Sequence, residues 1–144
     1  MGKSISSHRN FVLRIAKDEW FKQVFSIKKY YPGVPRRWKP NDLIFLVKRT
    51  DKGDSFVGYG VIKKFIERNK LSKAEREECE KMGWRGALVF SELYKFDPPL
   101  PIKETILGGL KVRGRCWHGY PLTDEQVNSL LKAVKKLCNI RKVD

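Results

Sequence analysis

The sequence predicts a single α+β domain, residues 1–144, in which mainly antiparallel strands pack against flanking helices. The 144 residues, 41% of them hydrophobic, suit one domain with one core, which we expect to span about residues 11–138. Two strand-like segments, 43–49 and 55–67, flank the turn residues DKGD and favour a β-hairpin. Helical patterns lie before and after this hairpin and do not follow every strand, which argues against a parallel α/β sheet.

The first part of the chain is predicted to form a strand, a helix and a rigid loop. FVLRIA at 11–16 is a short run of β-forming residues. Segment 17–31 has apolar residues at helical spacing, at Trp20, Val24 and Ile27. The loop that follows contains residues that end helices, Pro32, Gly33 and Pro35. We expect Trp20 to pack in the core.

Two capping boxes mark the other helices. Ser72 followed by Glu75 predicts a polar helix that ends at Gly83. Thr123 followed by Gln126 predicts a terminal helix. An apolar stripe on this last helix is expected to dock on the core, at Val127, Leu130, Leu131, Val134, Leu137 and Cys138.

Further strands are predicted between and before these helices. Segments 86–96 and 110–117 are strand candidates, and DPPLP at 97–101 predicts a stiff break between them. Gly58 and Gly60 alternate along the second hairpin strand, although glycine weakens a strand. We therefore expect a sharply coiled strand or a neighbour that packs directly on its backbone. The alternative is a plain hairpin that tolerates both glycines.

The cysteines give no indication of a disulfide framework or a metal site. Cys79, Cys116 and Cys138 lie far apart, whereas zinc sites usually contain closely spaced pairs. No apolar run approaches the roughly 18 residues of a membrane helix, and residues 1–10 lack the apolar segment of a signal peptide. We expect a cytoplasmic protein with no metal, no cofactor and no membrane partner.

Positive charge is concentrated at the two ends of the chain. The formal net charge is +15, from 31 Lys and Arg against 16 Asp and Glu. Residues 1–50 contribute +9 and residues 101–144 contribute +5, while residues 51–100 are nearly balanced at +1. A balanced surface would suit solubility alone. The excess at the ends predicts a polyanionic partner, because phosphates that are neutralised release counterions.

Single-stranded RNA offers phosphates to cations and base faces to aromatic rings. In the proline-rich loop we expect Arg36, Arg37 and Lys39 to bind the backbone, with Tyr31 or Trp38 as a stacking platform. The alternative is that Trp38 covers one end of the core. The wider predicted binding set adds cations and one ring from the elements nearby, at Lys28, Lys29, Lys48 and Tyr59.

A second basic and aromatic set lies at 113–118. In an extended segment, alternate residues share one face, which would place Arg113, Arg115 and Trp117 on one wall of a groove. Cys116 would then point inward, and His118 would be a surface or hydrogen-bonding residue. We expect this set and the proline-rich loop to face a single cleft.

The segment GVPRRWKPNDLIFLVKR, the DKGD turn and FVGYGVIKKF together resemble the PUA-like superfamily, and its EVE branch most of all. Asn41 stands where glycine is common in that branch, and asparagine tolerates the left-handed backbone. RGRCWHGYPLTDEQVNSLLKAV is similar to the branch's closing pattern of a basic, aromatic stretch before a terminal helix. The resemblance covers roughly residues 11–137.

This resemblance implies a small curved β-barrel of about five or six mainly antiparallel strands, related to YTH and ASCH domains. It also implies binding of RNA, with a modified or flipped nucleobase held in an aromatic- and Arg-lined cleft. RNA versus DNA is left open. The alternative is a domain that processes small molecules or nucleosides, as a hydrolase would, in the same cleft. The ASCH signature G-x-K-x-x-E-x-R does not occur, nor does a phosphate loop, a nucleophile elbow or an H-E-x-x-H helix, and no catalytic residue is predicted.

Overall fold

The structure is a computed structural model that describes residues 9–33, 37–112 and 114–144, without the side chain of Arg115. The α+β class predicted from the sequence is confirmed. The strands are β1 Asn10–Ile15, β2 Lys29–Tyr30, β3 Leu43–Thr50, β4 Gly53–Glu67, β5 Gly86–Pro101, β6 Tyr120–Leu122 and β7 Asn139–Lys142. The α-helices are α1 Asp18–Ile27, α2 Lys73–Met82 and α3 Asp124–Leu137. Short 3-10 helices occupy Arg68–Lys70, Ile102–Glu104, Ile106–Gly109 and Gly114–Trp117.

The strands form one mixed sheet in the order β2-β5-β4-β3-β1-β6, with β7 paired to β5. Strands β1 and β3 are parallel, and every other described pair is antiparallel. Within the described ranges, backbone pairing does not close the sheet into a barrel. The Tyr30 hydroxyl on β2 nevertheless donates a hydrogen bond to the Arg14 carbonyl on β1, at 3.2 Å. This contact brings β1 close to β2, at the end of the strand order.

The two faces of the sheet bury two separate cores, because successive strand side chains point to opposite faces. Phe11, Leu13 and Ile15 of β1 pack in the first core with Val24 of α1. Val12 packs in the second core, to which α3 contributes Val127, Leu130 and Val134. Strand β3 alternates in the same way. The stripe predicted for α3 thus docks as expected over most of its length, although Leu137 is half exposed.

Gly58 provides the close approach that its position in β4 predicts. A Cβ built there would overlap the Tyr94 carbonyl oxygen of β5 and lie 2.8 Å from Cζ of Phe25 on α1. At Gly60, a Cβ would lie 2.7 Å from Cδ1 of Phe90. Neighbouring groups therefore pack directly on the backbone of this strand, so the plain hairpin is the wrong alternative.

The predicted start and end of α2 and the predicted start of α3 are confirmed. Ser72 Oγ accepts a hydrogen bond from the Glu75 amide at 3.3 Å, and Gly83 closes α2 with φ of +76°. At the start of α3, Thr123 Oγ1 accepts from the Gln126 amide, and Gln126 Oε1 accepts from the Thr123 amide. None of the α-helices in the described part of the chain is long and apolar enough to cross a membrane.

Several predicted boundaries differ from the structure. Helix α1 ends at Ile27 because Lys28 adopts the left-handed conformation and residues 29–30 pair with β5. The predicted break at 97–101 is wrong: β5 runs on to Pro101, with its two exposed prolines at a register shift opposite β4, where the pairing is irregular. Short strands β2, β6 and β7 have too little pattern to be predicted from the sequence.

Candidate functional site

A cleft lies beside the end of β4, next to the 3-10 helix Arg68–Lys70 and the start of β5, and we call it the first cleft. Its volume is about 960 Å³. Its described lining residues include four cationic side chains and one carboxylate, Glu67. The cations come from three separate segments of the chain, Arg37, Arg68, Lys70 and Arg85. An unbalanced set of this kind produces a positive field in the cleft.

A buried carboxylate fixes the wall that carries Arg37. Asp42 is fully buried and accepts hydrogen bonds from the Arg9 amide at 2.9 Å, from Arg9 Nη2 at 3.0 Å and from the Lys39 amide at 3.1 Å. Arg9 Nη2 also donates to the Arg37 carbonyl. Asn41 has φ of +74°, the left-handed conformation expected for this position. The chain from Arg37 to Asp42 is therefore held by one charged hub.

Backbone hydrogen bonds join the other walls. The Arg68 amide donates to the Arg85 carbonyl at 3.2 Å, and the Arg85 amide donates to the Pro32 carbonyl at 2.9 Å. Arg68 Nη1 also donates to the Trp84 carbonyl at 3.3 Å. These bonds place the 3-10 helix Arg68–Lys70, the start of β5 and the proline-rich loop side by side. Cations that are distant in sequence thus lie around one opening.

Trp38 lines the first cleft as part of its wall, and the prediction that it is an open stacking platform is wrong. Its side chain is only 7% exposed and packs edge-on against Phe11 in the first core, with 5.4 Å between ring centroids. The Asp42 hub holds the adjacent backbone, which directs the indole inward. The alternative, that Trp38 covers part of the core, is the one observed. Its buried Nε1 has no hydrogen-bond partner among the described residues.

Tyr31 also has one ring face occupied. It stacks on Trp84 at 5.3 Å, and its hydroxyl donates to Glu75 Oε2 at 2.8 Å. Burial, followed by this carboxylate, raises the pKa of Tyr31 well above its usual value. Trp20 packs edge-on against the same Trp84. This aromatic cluster is half-buried and joins α1 to the chain after α2, so Trp20 packs much as predicted.

Four predicted lysines of the N-terminal half, Lys28, Lys29, Lys39 and Lys48, are not among the described lining residues of the first cleft. Lys29 is 3.7 Å from Glu75, and Lys48 is 2.5 Å from Asp18. Lys28 caps α1, while Lys39 is exposed next to Trp38. Arg36 is outside the described residues. The two paired lysines are partly neutralised, which lowers their value for binding an anion.

Tyr59 belongs to the other face of the sheet. It stacks on Tyr94 of β5 at 4.8 Å and packs against Phe45 and Phe96 of the second core. The Tyr94 hydroxyl donates to Glu92 at 2.7 Å, and this bond raises the pKa of Tyr94 to about 12. Tyr59 is half-buried and does not line the first cleft.

The second basic set does not form the predicted strand face. Residues Gly114–Trp117 form a 3-10 helix, so alternate residues do not share a face as they would in a strand. Trp117 is 2% exposed in the second core, and Cys116 is exposed where we expected it to point inward. Arg113 and the side chain of Arg115 are outside the described residues. His118 Nδ1 accepts from the Arg14 amide at 3.0 Å, the hydrogen-bonding role predicted for it.

Trp117 lines another cleft, of about 490 Å³, which we call the second cleft. Trp38 packs in the first core and Trp117 in the second, so the tryptophans of the two predicted sets lie on opposite faces of the sheet. The prediction that they face a single cleft is therefore wrong for the described residues. The face on which each tryptophan packs depends on where its loop leaves the sheet, and strand pairings between distant segments determine that position.

Sequence reasoning missed three cations and one ring of the first cleft, Phe65, Arg68, Lys70 and Arg85. The only local signal is that these basic residues flank α2 closely on both sides. Among the described residues, no three His, Cys, Asp or Glu side chains converge as a metal site would require. Comparison with protein-family models, curated proteins and solved structures finds no match to this chain.

Proposed function

We propose that the protein is an RNA-binding module that holds a single strand by its phosphates in the first cleft. The observation that supports this most directly is the convergence of four cationic side chains from three segments on one opening. None of these four forms a salt bridge with a described carboxylate within 4.0 Å. Their positive field is therefore available to a polyanion, and counterion release would drive the association.

A single strand suits this cleft better than a duplex does. Single-stranded RNA can present separate phosphates and unstacked bases to a concave surface. Phe65 is a half-buried ring in the lining, and it can stack with a base at the cleft. The finer part of the proposal is recognition of a modified or flipped base. Such a base would use Phe65 and, after a local shift, the unpaired Nε1 of Trp38.

We further propose that the fold is a PUA-like curved sheet of the EVE type. The close packing of β4 over Gly58, the two packed faces and the Tyr30 to Arg14 hydrogen bond support this relationship. The alternative of a nucleoside-processing enzyme has less support. The described lining of the first cleft contains no His, Cys, Ser or Thr that could act as a nucleophile or base near neutral pH.

The proposal is tested by titrating the protein with a single-stranded RNA of about 16 nucleotides, the upper site size of small β-barrel binders. Removing two cleft cations with Arg68→Gln and Arg85→Gln should weaken binding about tenfold or more at low salt. The dependence of log K on log salt should become shallower by about one unit for each phosphate that the variant no longer neutralises.

The control variant carries Lys132→Gln and Lys136→Gln on the exposed side of α3, a helix of the second core, and removes the same charge from residues that do not line the first cleft. It should retain most of the affinity. Equal losses in both variants would mean that net charge alone drives binding, and the cleft would have no role. A single-stranded DNA of the same sequence distinguishes an RNA-binding module from a general single-strand binder.

A further inference from the structure

The second cleft lies at the opposite end of β4 from the first, and it also gathers cations from separate elements. Arg14 comes from β1, Arg49 from the end of β3, Lys52 from the hairpin turn and Lys103 from the 3-10 helix Ile102–Glu104. Asp54 is the one carboxylate among the lining residues that the structure describes here. Four segments thus direct positive charge to a pocket that the proposed function does not use.

One of these cations is held in place by the fold. Arg14 donates from Nε and Nη2 to Asp54 Oδ1 at 3.2 and 3.1 Å. Both side chains are more than 80% buried, with exposures of 18% and 17%. A guanidinium has five N–H donors, and this ion pair uses two of them. Arg14 is therefore oriented in advance and retains donors for a second anion.

The other three cations are exposed and can reach an anion at the mouth of the pocket. Neither Arg49, Lys52 nor Lys103 forms a salt bridge with a described carboxylate. The single Asp54 carboxylate cannot balance four cations. A ligand with more than one negative charge, such as a phosphate ester, would offset this excess.

Apolar side chains form the floor. Trp117, Leu107 and Ile102 are each at least 95% buried beneath the cations. The volume of about 490 Å³ lies within the range of small-molecule pockets and exceeds the size of an inorganic ion. A cationic rim over an apolar floor suits a ligand with a charged end and a flat, weakly polar body.

We propose that the second cleft is a separate phosphate-binding site for a ligand of mononucleotide size. Arg14 and Lys103 bind the phosphate, and the body of the ligand lies over the floor around Trp117. The phosphate belongs either to a free nucleotide or to a nucleotide unit of an RNA that extends beyond the first cleft. These two sources share the same chemistry and differ in the length of ligand required.

Free nucleotide is tested with adenosine monophosphate by isothermal titration calorimetry at low salt, where charge interactions are least screened. Arg49→Gln with Lys103→Gln should weaken its binding about tenfold, since each removes one cation of the rim. Both side chains are exposed, so the variant should fold. The control again carries Lys132→Gln and Lys136→Gln, and the first-cleft variant with Arg68→Gln and Arg85→Gln should bind adenosine monophosphate normally.

If the phosphate belongs to an RNA, the binding measurements should differ from those expected for a free nucleotide. Adenosine monophosphate would then bind poorly, while the variant with Arg49→Gln and Lys103→Gln would lose affinity for an RNA of about 16 nucleotides but not for one of about 4. The proposal is overturned if neither adenosine monophosphate nor the longer RNA distinguishes this variant from the α3 control. Because RNA binding by the first cleft is judged on Arg68 and Arg85, the two proposals can fail separately.

Discussion

The two clefts have similar components and differ in how the fold uses them. Among its described lining residues, each has four cations, one carboxylate and a buried tryptophan. Beside the first cleft, the buried Asp42 accepts hydrogen bonds from the Arg9 and Lys39 amides and so positions the backbone of this loop. The lining cations remain available. In the second, Asp54 binds a lining cation directly. Asp42 also pairs with a guanidinium, but its partner Arg9 is not among the described lining residues of the first cleft, whereas Arg14, the partner of Asp54, lines the second.

The largest expected effects come from the two tryptophans. Trp38→Ala and Trp117→Ala should each lower the free energy of unfolding by about 3–5 kcal/mol, because each removes a large buried side chain from a different core. Urea unfolding followed by circular dichroism measures this loss. If Trp38→Ala instead left stability unchanged and reduced only RNA binding, the indole would be an accessible platform and its burial would be contradicted.

The next largest difference is expected between substitutions of the two carboxylates, Asp42 and Asp54, in their effect on the free energy of unfolding. Asp42→Asn should lower the free energy of unfolding by about 3 kcal/mol, since it weakens three hydrogen bonds and leaves the Arg9 charge poorly compensated. Asp54→Asn should lower it by about 1 kcal/mol, because the Asp54 side chain is 17% exposed whereas that of Asp42 is fully buried. Denaturant midpoints of the two variants measure this difference. Equal losses would show that Asp42 is no more of a structural hub than Asp54.

The smallest expected effect is a pH dependence close to the second cleft. Burial lowers the pKa of His118 in the folded protein, so the unfolded chain binds a proton there more readily. The stability that the neutral imidazole contributes is present above the ordinary histidine pKa of 6.5 and is lost as the pH falls below it. His118→Gln should flatten this part of the stability profile, measured by urea unfolding between about pH 5 and pH 7.5.

The pH dependence of RNA affinity provides the corresponding test for the first cleft. No histidine is among its described lining residues, so affinity at constant ionic strength should change little over the same pH range. A steep loss of RNA affinity that disappeared in the His118→Gln variant would place the RNA near the Arg14 end of β1 and contradict the assignment to the first cleft.

The parts of the fold that sequence could predict are those fixed by near neighbours. The DKGD hairpin, the capping residues Ser72 and Thr123, and the C-cap Gly83 depend on contacts a few residues away. Gly58 was predictable as a close approach because an interior glycine weakens a strand and so requires a reason. The sequence does not predict that the packed neighbour is Phe25, because α1 reaches β4 only in the folded chain.

The candidate site depends on distant pairings, and the sequence therefore predicted less of it. Arg37 was identified from its loop, but Arg68 and Arg85 join it through backbone bonds between segments that look unrelated in sequence. Dependence on distant pairings also explains why the predicted exposure of Trp38 and Trp117 is wrong. A tryptophan beside arginines has the same local pattern whether it faces solvent or the core, and only the alternation of β1 and β3 between two cores decides it.

The central claim, that the first cleft binds RNA, is tested most directly by mapping amide chemical shifts during titration with a single-stranded RNA of about 4 nucleotides. We predict that the largest changes fall at Arg37, at Arg68 to Lys70 and at Arg85, with small changes around Arg49 and Lys103. Changes concentrated around the second cleft, or spread evenly over the exposed lysines of α3, would contradict the claim.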